Sequence, residues 1–242
     1  ATVNTDNMKD ITSPTVANML QGKVAGAVVT PLSGQPGSGV TIRIRGTGTI
    51  LGNNDPLWVI DGVIVSEAPA DLNPNDIEAI SILKDGSAAA LYGSRGSNGV
   101  IQVTTKRGKM GMSQLEASVK LAVSQQQKGK LRMMNGAEYY DYLVTAYKNA
   151  GEGELEKQYM LQPYLKNQNF DWWDFATQNA LAQNYNLAYR FGTDKVRGYI
   201  SGDYYNEEGT IKGYDYDRFT LRSNTDYVVN SRLTIKSNLS LS

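Results

Sequence analysis

The second half of this 242-residue chain contains repeated segments in which apolar and polar side chains alternate. In the first segment, Leu115, Val119 and Val123 alternate with Glu116 and Lys120. A period of two places the apolar side chains on one face of an extended strand. Each segment is about ten residues long, which is the length of a tilted strand crossing a bilayer. Four further segments lie at 184–191, 196–206, 218–227 and 232–241. This part is therefore predicted to form five amphipathic strands.

The predicted connections between these strands differ in length. Short turns lie at 192–195 and 230–231, whereas 126–182 form one long insertion and 207–216 a medium one. Inside the long insertion, Asn135 and Glu138 have the spacing of a capping box that starts a helix, and Gly151 would end that helix. Outer-membrane barrels have short turns on the periplasmic side and longer loops outside. Alternating strands with polar loops are equally typical of a soluble β-sandwich, although its strands are usually shorter. The periodicity is compatible with both architectures.

The amino-acid composition argues against several classes of partner and active site. The 24 basic and 24 acidic residues cancel, and no basic stripe indicates a nucleic-acid partner. The chain contains no cysteine and no histidine, so thiol nucleophiles, zinc–thiolate sites and the commonest general base are excluded. Acid pairs such as Glu207-Glu208 lie in a predicted loop, where charge is usually solvated. We therefore expect no catalytic residues, no metal site, no cofactor and no enzymatic activity.

The chain changes character near residue 110, because fourteen of the fifteen tyrosines lie after it. Before it, short strand and helix signals alternate. Val40 to Arg45 predicts a half-buried strand, and Asp61-Gly62 between two β runs predicts a hairpin. Helices are predicted at about Ser13 to Leu20 and from Asp85 to Gly93, the latter with those two residues as caps. We expect a small mixed α/β domain at 1–110 and a strand-rich domain at 111–242.

Seven ordered stretches within the first domain resemble the plug of TonB-dependent outer-membrane transporters of the SusC/RagA-like branch. They begin with Leu20 to Gly26, Ser33 to Gly37 and Ile42 to Gly46, continue with Pro56 to Val63 and Leu72 to Glu78, and end with Leu83 to Ile101 and Thr104 to Gly108. In the second domain, Tyr204 to Ile211 and Asp217 to Asn224 resemble early strands of the same family's barrel. The resemblance covers nearly the whole chain.

This resemblance implies a fold class, a location and a function. The fold would be an α+β plug domain followed by antiparallel β-strands of an incomplete transmembrane β-barrel, with a long extracellular loop at about 126–182. The protein would reside in the bacterial outer membrane and import a nutrient. An oligosaccharide is the first expected substrate class and a peptide is the second. Its partners would be a SusD-like surface lipoprotein, the TonB–ExbB–ExbD energy-coupling complex and outer-membrane lipid. The competing class is a soluble or surface-attached, adhesin-like binding module.

The resemblance also implies roles for individual residues. Arg43 and Arg45 would contact acidic residues of the barrel wall, although an edge strand facing water is the alternative. The plug loop between Gly46 and Pro56 would face the ligand. Independently of the resemblance, the aromatic pair Trp172-Trp173 is a candidate ligand contact in the long loop, since aromatic pairs stack on sugar rings. Tyr and Trp also form interface belts in membranes, and packing within the long loop is the favoured alternative. The residues of the plug loop assigned to the ligand are Thr47, Asn53, Asn54 and Asp55.

The sequence departs from the family in two respects. We find no candidate for the TonB box, the N-terminal segment that the energy-coupling protein binds, nor for the small extra N-terminal domain of many members. Barrels of this type need roughly 22 strands, whereas five are predicted here. We therefore expect the chain to be an N-terminal fragment, because a sheet with two open edges is not tolerated within a bilayer.

Overall fold

The computed structural model describes most of the chain. The described residues are 2–4, 15–24, 26–44, 46, 54–65, 68–69, 71–84, 90–130, 132–151, 153–160 and 162–242. Contacts divide the chain into two compact units. Unit 1 comprises Ala1–Ser124, Ala180–Gly209 and Gly213–Ser242, and unit 2 comprises Gln125–Asn179 and Thr210–Lys212.

Unit 1 begins with an N-terminal region of mixed α/β structure. Its strands and helix are β1 (Thr2–Asn4), α1 (Val16–Met19), β2 (Ala27–Pro31), β3 (Val40–Ile44), β4 (Leu57–Ile60), β5 (Val63–Val65), β6 (Ile77–Leu83) and β7 (Val100–Thr105). A five-stranded sheet has the order β1-β6-β7-β4-β5, and β2 pairs with β3 in a separate two-stranded sheet. The pair β4–β7 is parallel, whereas the other pairs are antiparallel.

An apolar core holds this region together. Ile80, Ile82 and Ile101 project from the centre of the larger sheet and are at most 1% exposed. They pack with residues of α1 and of the smaller sheet, including Val16 and Ile42. Burial of such side chains is favourable by roughly 1.5–3 kcal/mol each. The N-terminal region thus has the interior of an ordinary water-soluble domain.

Local sequence signals place several of these elements. The predicted hairpin is confirmed, because Asp61 and Gly62 have φ of 49° and 88° between β4 and β5, the geometry of a two-residue turn with both φ positive. Thr15 caps α1 by accepting a hydrogen bond from Asn18 N. In the second predicted helix, 90–92 are helical and Gly93 has φ of 61°, whereas Asp85 lies outside the described residues.

The five predicted amphipathic strands are confirmed as one antiparallel sheet, here called the C-terminal sheet. It consists of β8 (Ser113–Ser124), β9 (Ala180–Gly192), β10 (Val196–Glu208), β11 (Asp215–Asn230) and β12 (Leu233–Leu241). Its order is β12-β11-β10-β9-β8, so within the described residues the sheet is open, with β8 and β12 at its edges. Most strands extend beyond the predicted segments, because the ladder pairing continues into the residues that flank the alternating runs.

The two faces of the C-terminal sheet are inverted relative to a soluble sheet. On β10 the buried residues are Tyr199, Ser201, Asp203 and Tyr205, while Ile200 between them is exposed. On β11 the buried residues are Arg218, Thr220, Arg222 and Asn224, while Phe219 and Leu221 are exposed. On β10 and β11, polar and tyrosine side chains therefore line the covered face, and apolar side chains form the opposite face. The buried residues of β9 are Asn184 and three small alanines, Ala180, Ala182 and Ala188.

Unit 2 consists mainly of helices. They are α2 (Gly136–Ala150), α3 (Gly153–Met160) and α4 (Trp172–Ala176), with a 3₁₀ turn at Pro163–Asn167. The capping box predicted at the start of α2 is confirmed, since Asn135 and Glu138 exchange both hydrogen bonds. Gly151 ends α2 with φ of 76°. No helix among the described residues has both the length and the apolarity needed to cross a membrane.

Candidate functional site

The covered face of the C-terminal sheet contacts the N-terminal region through polar side chains, and Asp76 is a charged group buried in this contact. A 3₁₀ turn at Pro74–Asp76, capped by Asn73, precedes β6 and places the Asp76 carboxylate against β10 and β11. Tyr199 donates a hydrogen bond of 2.8 Å and Ser201 one of 2.5 Å to Asp76 Oδ1. The Nε atom of Arg222 lies 3.3 Å from Oδ2 but is not aligned for a hydrogen bond.

The Asp76 carboxyl is buried, and burial disfavours its ionised form. Burial raises the pKa of its carboxyl above the usual range, although the two hydroxyl donors and the Arg222 charge lower it. Asp203, also on β10, raises the pKa further. The free-energy cost of desolvating the ionised carboxyl is therefore larger than its stabilisation by the hydroxyl donors and Arg222, so the Asp76–Arg222 pair is a weak ion pair.

A second polar contact lies beside the first. Asn75 donates hydrogen bonds of 2.8 Å to Asn184 Oδ1 and 3.0 Å to Asp203 Oδ2. Lys120 of β8 donates to Asn75 Oδ1 at 3.2 Å. Asn184 and Asn186 donate further hydrogen bonds to the Asp203 carboxylate. The turn at Pro74–Asp76 is thus hydrogen-bonded to β8, β9 and β10 and forms an ion pair with β11.

The segment after β7 forms a third contact. Arg107 donates a hydrogen bond of 2.8 Å to Asp226 on β11 and one of 3.0 Å to Asn238 on β12. Its Nη2 also lies 3.6 Å from Asp61 Oδ2, and Asp61 in turn accepts hydrogen bonds from Thr105 N and Oγ1. The carboxylate of the hairpin residue Asp61 therefore orients the segment that carries Arg107.

Two glycines allow the backbone of the N-terminal region to approach the sheet closely. A Cβ atom added at Gly37 would overlap the ring of Tyr216 on β11, and Gly37 also has φ of 70°. A Cβ added at Gly108 would overlap the backbone of Phe191 and Gly198. Any larger residue at Gly108 would therefore displace the linking segment from β9 and β10.

The predicted site residues occupy different places. Arg43 lies on β3 and is exposed, and the ion pairs that join the two parts of unit 1 within the described residues involve other side chains, so its contact with the barrel wall stays a prediction. Asn54 and Asp55 immediately precede β4, and their contact with ligand also stays a prediction. The predictions for Arg45, Thr47 and Asn53 fall on residues outside those that the structure describes.

The two tryptophans of α4 have different surroundings. Trp172 packs against Phe170 and Phe175 with ring centroids 4.6 and 5.9 Å apart, and it remains exposed. Trp173 is half-buried and lines a cavity of about 540 Å³ within unit 2. Asp171 caps the helix by accepting a hydrogen bond from Asp174 N.

Sequence reasoning did not select the residues that join the two parts of unit 1. Asp76 and Asn75 lie inside the stretch Leu72 to Glu78 that resembles the plug family, but the resemblance assigned them no role. Asn184 and Asn224 could have been found as amides on the polar side of alternating strands, because such residues line the covered face. Arg107 lies in the basic stretch Lys106-Arg107-Gly108-Lys109, beside the domain boundary predicted near residue 110.

Comparison with known proteins identifies both parts of the chain. The family described as TonB-dependent Receptor Plug Domain matches residues 1–100. The chain is 38% identical over 224 residues to the TonB-dependent receptor P26 of Formosa agariphila, covering 90% of this chain and 22% of that protein. It is 35% identical over 216 residues to the TonB-dependent receptor SusC of Bacteroides thetaiotaomicron, covering 86% of this chain and 20% of SusC.

A solved structure extends the similarity to the fold of the whole chain. The RagAB peptide importer in its closed-closed state superposes with a TM-score of 0.83 at 29% identity, over 99% of this chain and 30% of that one. The chain spans about a fifth of the length of the curated relatives it matches. These similarities confirm the expected fold class of a plug followed by antiparallel strands. The chain therefore belongs to the SusC-like TonB-dependent receptors, and its N-terminal region is the plug domain of that family.

Proposed function

We propose that the receptor to which this chain corresponds imports a nutrient across the bacterial outer membrane and that the plug gates the passage. The observation that carries this proposal is the inversion of the C-terminal sheet. Exposed apolar side chains such as Phe219 and Leu221 suit contact with lipid, and buried polar ones such as Asp203 and Asn224 suit a lumen. A soluble binding module would bury its apolar face instead, so this observation disfavours the adhesin-like alternative.

The polar contact between plug and sheet supports a gate that can open. Separating two apolar surfaces exposes apolar area to water, which is unfavourable. By contrast, water can replace the hydrogen bonds of Asn75, Asp76 and Arg107 when these groups leave the wall. The plug is thus held by contacts that specify one position and can be exchanged for hydration during transport.

Membership of the family supports the remaining parts of the proposal. The receptor resides in the outer membrane, is energised through TonB with ExbB and ExbD, and works with a SusD-like surface lipoprotein. Its substrate is an oligosaccharide, with a peptide as the competing class, since one structural relative is described as a peptide importer. The named relatives are TonB-dependent receptors, and we propose no catalytic activity.

A reversible lock between plug and wall tests the gating proposal. Asn75 and Asn184 contact each other across the junction, and this chain has no native cysteine. In the complete receptor, the paired substitutions Asn75→Cys and Asn184→Cys should accept a short, reducible bis-thiol crosslinker. Uptake of labelled oligosaccharides and peptides is then measured in cells before crosslinking, after crosslinking and after reduction.

We expect crosslinking to abolish uptake and reduction to restore it. Each single cysteine variant treated with the same reagent serves as the control and should retain uptake. Undiminished uptake in the crosslinked double variant would refute the plug as the gate. Deletion of the gene with unchanged uptake of every oligosaccharide and peptide tested would refute import itself.

A further inference from the structure

We propose that the cavity in unit 2 is a binding site for a neutral oligosaccharide, an inference that rests on the proposed import function and adds a site to it. The cavity has a volume of about 540 Å³, within the roughly 300–1,000 Å³ typical of small-molecule sites. Two chain segments form its walls, one directly after β8 and one that includes the end of α4 and leads into β9. The lining residues are Gln125, Gln126, Gln127, Lys128, Gly129, Trp173, Asp174, Thr177, Gln178 and Asn179.

The side chains of this cavity are suited to a ligand rich in hydroxyl groups. Half of the ten lining residues carry primary amides, and Thr177 adds a hydroxyl. Each amide offers two donor hydrogens and a carbonyl acceptor, which match a hydroxyl that both donates and accepts. Small-molecule sites are usually lined by apolar groups, so a lining of this kind favours a polyol over an apolar ligand.

Trp173 is the only aromatic side chain that lines the cavity. One face of a pyranose ring presents C–H groups with partial positive charge, and these groups stack on the electron-rich face of an aromatic ring. Trp173 is half-buried, so part of its surface is available while its position is fixed by packing. The combination of one aromatic surface with surrounding amides is therefore complementary to a sugar ring in both its apolar and its polar parts.

The two charged residues that line the cavity, Lys128 and Asp174, have opposite charges. Lys128 Nζ lies 2.7 Å from an Asp174 carboxylate oxygen and 3.5 Å from one of Asp171. The hydrogen bond to Asp174 raises the pKa of Lys128, and hydrogen bonding to the Asp174 amide, followed by the Lys128 charge, lowers the pKa of Asp171. Both shifts favour the ionised forms of Lys128 and Asp171. A charged peptide terminus would have to compete with an existing pair, whereas a neutral ligand would not.

The walls are held in place by the short segment Thr210–Lys212, which also belongs to unit 2. Thr210 accepts a hydrogen bond from Gln178 N through its carbonyl and donates one to Gln126 Oε1 through its hydroxyl. Lys212 N donates to Ala176 O, and its Nζ donates to Phe175 O at 2.8 Å. This segment therefore ties both walls together, and a site built in advance loses less entropy on binding.

The test compares the two tryptophans of α4 in the complete purified receptor. The probe is an array of neutral oligosaccharides with a pool of peptides beside it, and affinities of the hits are measured by calorimetry. We expect Trp173→Ala to weaken oligosaccharide binding at least about tenfold, as for an aromatic contact at the centre of a site. Trp172→Ala, on the same helix but outside the cavity, should leave the affinity unchanged. Trp173→Phe should retain part of the affinity that Trp173→Ala loses.

A second variant guards against a loss of folding at α4. Gln125→Ala combined with Gln127→Ala alters exposed side chains that lie outside helices and strands, and it should weaken binding without changing the hydrogen exchange of α4. Equal effects of the two tryptophan variants, or binding of peptides alone, would overturn the assignment. Uptake in cells separates the two proposals. Oligosaccharide import that is insensitive to Trp173→Ala would refute this site alone, whereas absence of any import would refute the proposed function.

Discussion

The plug and the C-terminal sheet are both β-rich, but they bury opposite kinds of side chain. The plug encloses residues such as Ile80 and Ile101, as a domain folded in water does. The sheet covers residues such as Asp203 and Asn224 and exposes residues such as Leu221. Burial alone therefore does not identify a hydrophobic core, because the medium that the exposed face contacts decides which face of a strand is apolar.

The contrast also explains how the two parts can be in contact without becoming one core. An apolar surface between plug and wall would fuse them into a single hydrophobic interior. Here the contact is made by hydrogen bonds and a few charges, whose net contribution is modest because water competes for them. The plug can therefore be stable by itself while its attachment to the wall stays weaker than its own core.

The largest effect should come from the plug core. Ile101→Ala removes a fully buried side chain at the centre of the sheet and should lower the free energy of unfolding of the plug by about 2–5 kcal/mol. Hydrogen exchange of β6 and β7 amides in the complete receptor measures this loss. The matched control is Ile200→Ala on the outward face of β10, where a side chain in contact with lipid loses far less. Similar losses for both variants would mean that the plug and the outward face of the sheet depend equally on apolar packing.

An intermediate effect should come from the junction between the two parts. Asp76→Asn keeps the shape of the side chain but replaces one acceptor oxygen by an NH₂ donor, which then faces either the hydroxyls of Tyr199 and Ser201 or the Arg222 guanidinium. A buried donor opposite other donors should weaken attachment of the plug by about 1–3 kcal/mol. Because the substitution lies outside the plug core, the rate of hydrogen exchange that β6 and β7 amides undergo through global unfolding of the plug should change little. Protease susceptibility of the plug in the assembled receptor reports the attachment. Asp71→Asn, a change at an exposed plug carboxylate, is the control.

The same carboxyl makes the attachment depend on pH. Its pKa is raised in the assembled state, so that state binds more protons than the detached one between the ordinary pKa and the raised pKa. This contribution to attachment is fully present below the ordinary pKa and is lost as the pH rises through the raised one. Acidification through this range should therefore strengthen attachment in the native receptor. A pH dependence that persists unchanged in Asp76→Asn would assign it to another group.

The sequence predicted secondary structure well wherever a local rule governs it. The alternation of Leu115 with its neighbours, the Asp61-Gly62 hairpin and the Asn135–Glu138 capping box each depend on residues close together in the chain. All three are confirmed. The plug-like stretches likewise identified the family, because each is a contiguous motif.

The sequence did not predict the junction, because its partners are distant in the chain. Asp76 meets Tyr199 and Arg222 only after the strands have paired in register, and no local pattern encodes that register for single residues. The two tryptophans illustrate the same limit. Trp172 and Trp173 are adjacent and chemically identical, but only the second lines the cavity. Their difference arises from the helical rotation between neighbouring positions.

The smallest effect should come from unit 2, which differs from both parts of unit 1. Its longest helix, α2, has no buried residue, so local contacts contribute a larger share of its stability. Asn135→Ala removes the N-cap and should raise exchange of the first-turn amides of α2, with a cost of about 0.5–2 kcal/mol. Asn149→Ala, near the other end of the same helix, keeps the cap and should be neutral or slightly stabilising because alanine favours helix. Unchanged exchange in Asn135→Ala would mean that packing outside α2 fixes this helix, and unit 2 would then resemble the plug rather than contrast with it.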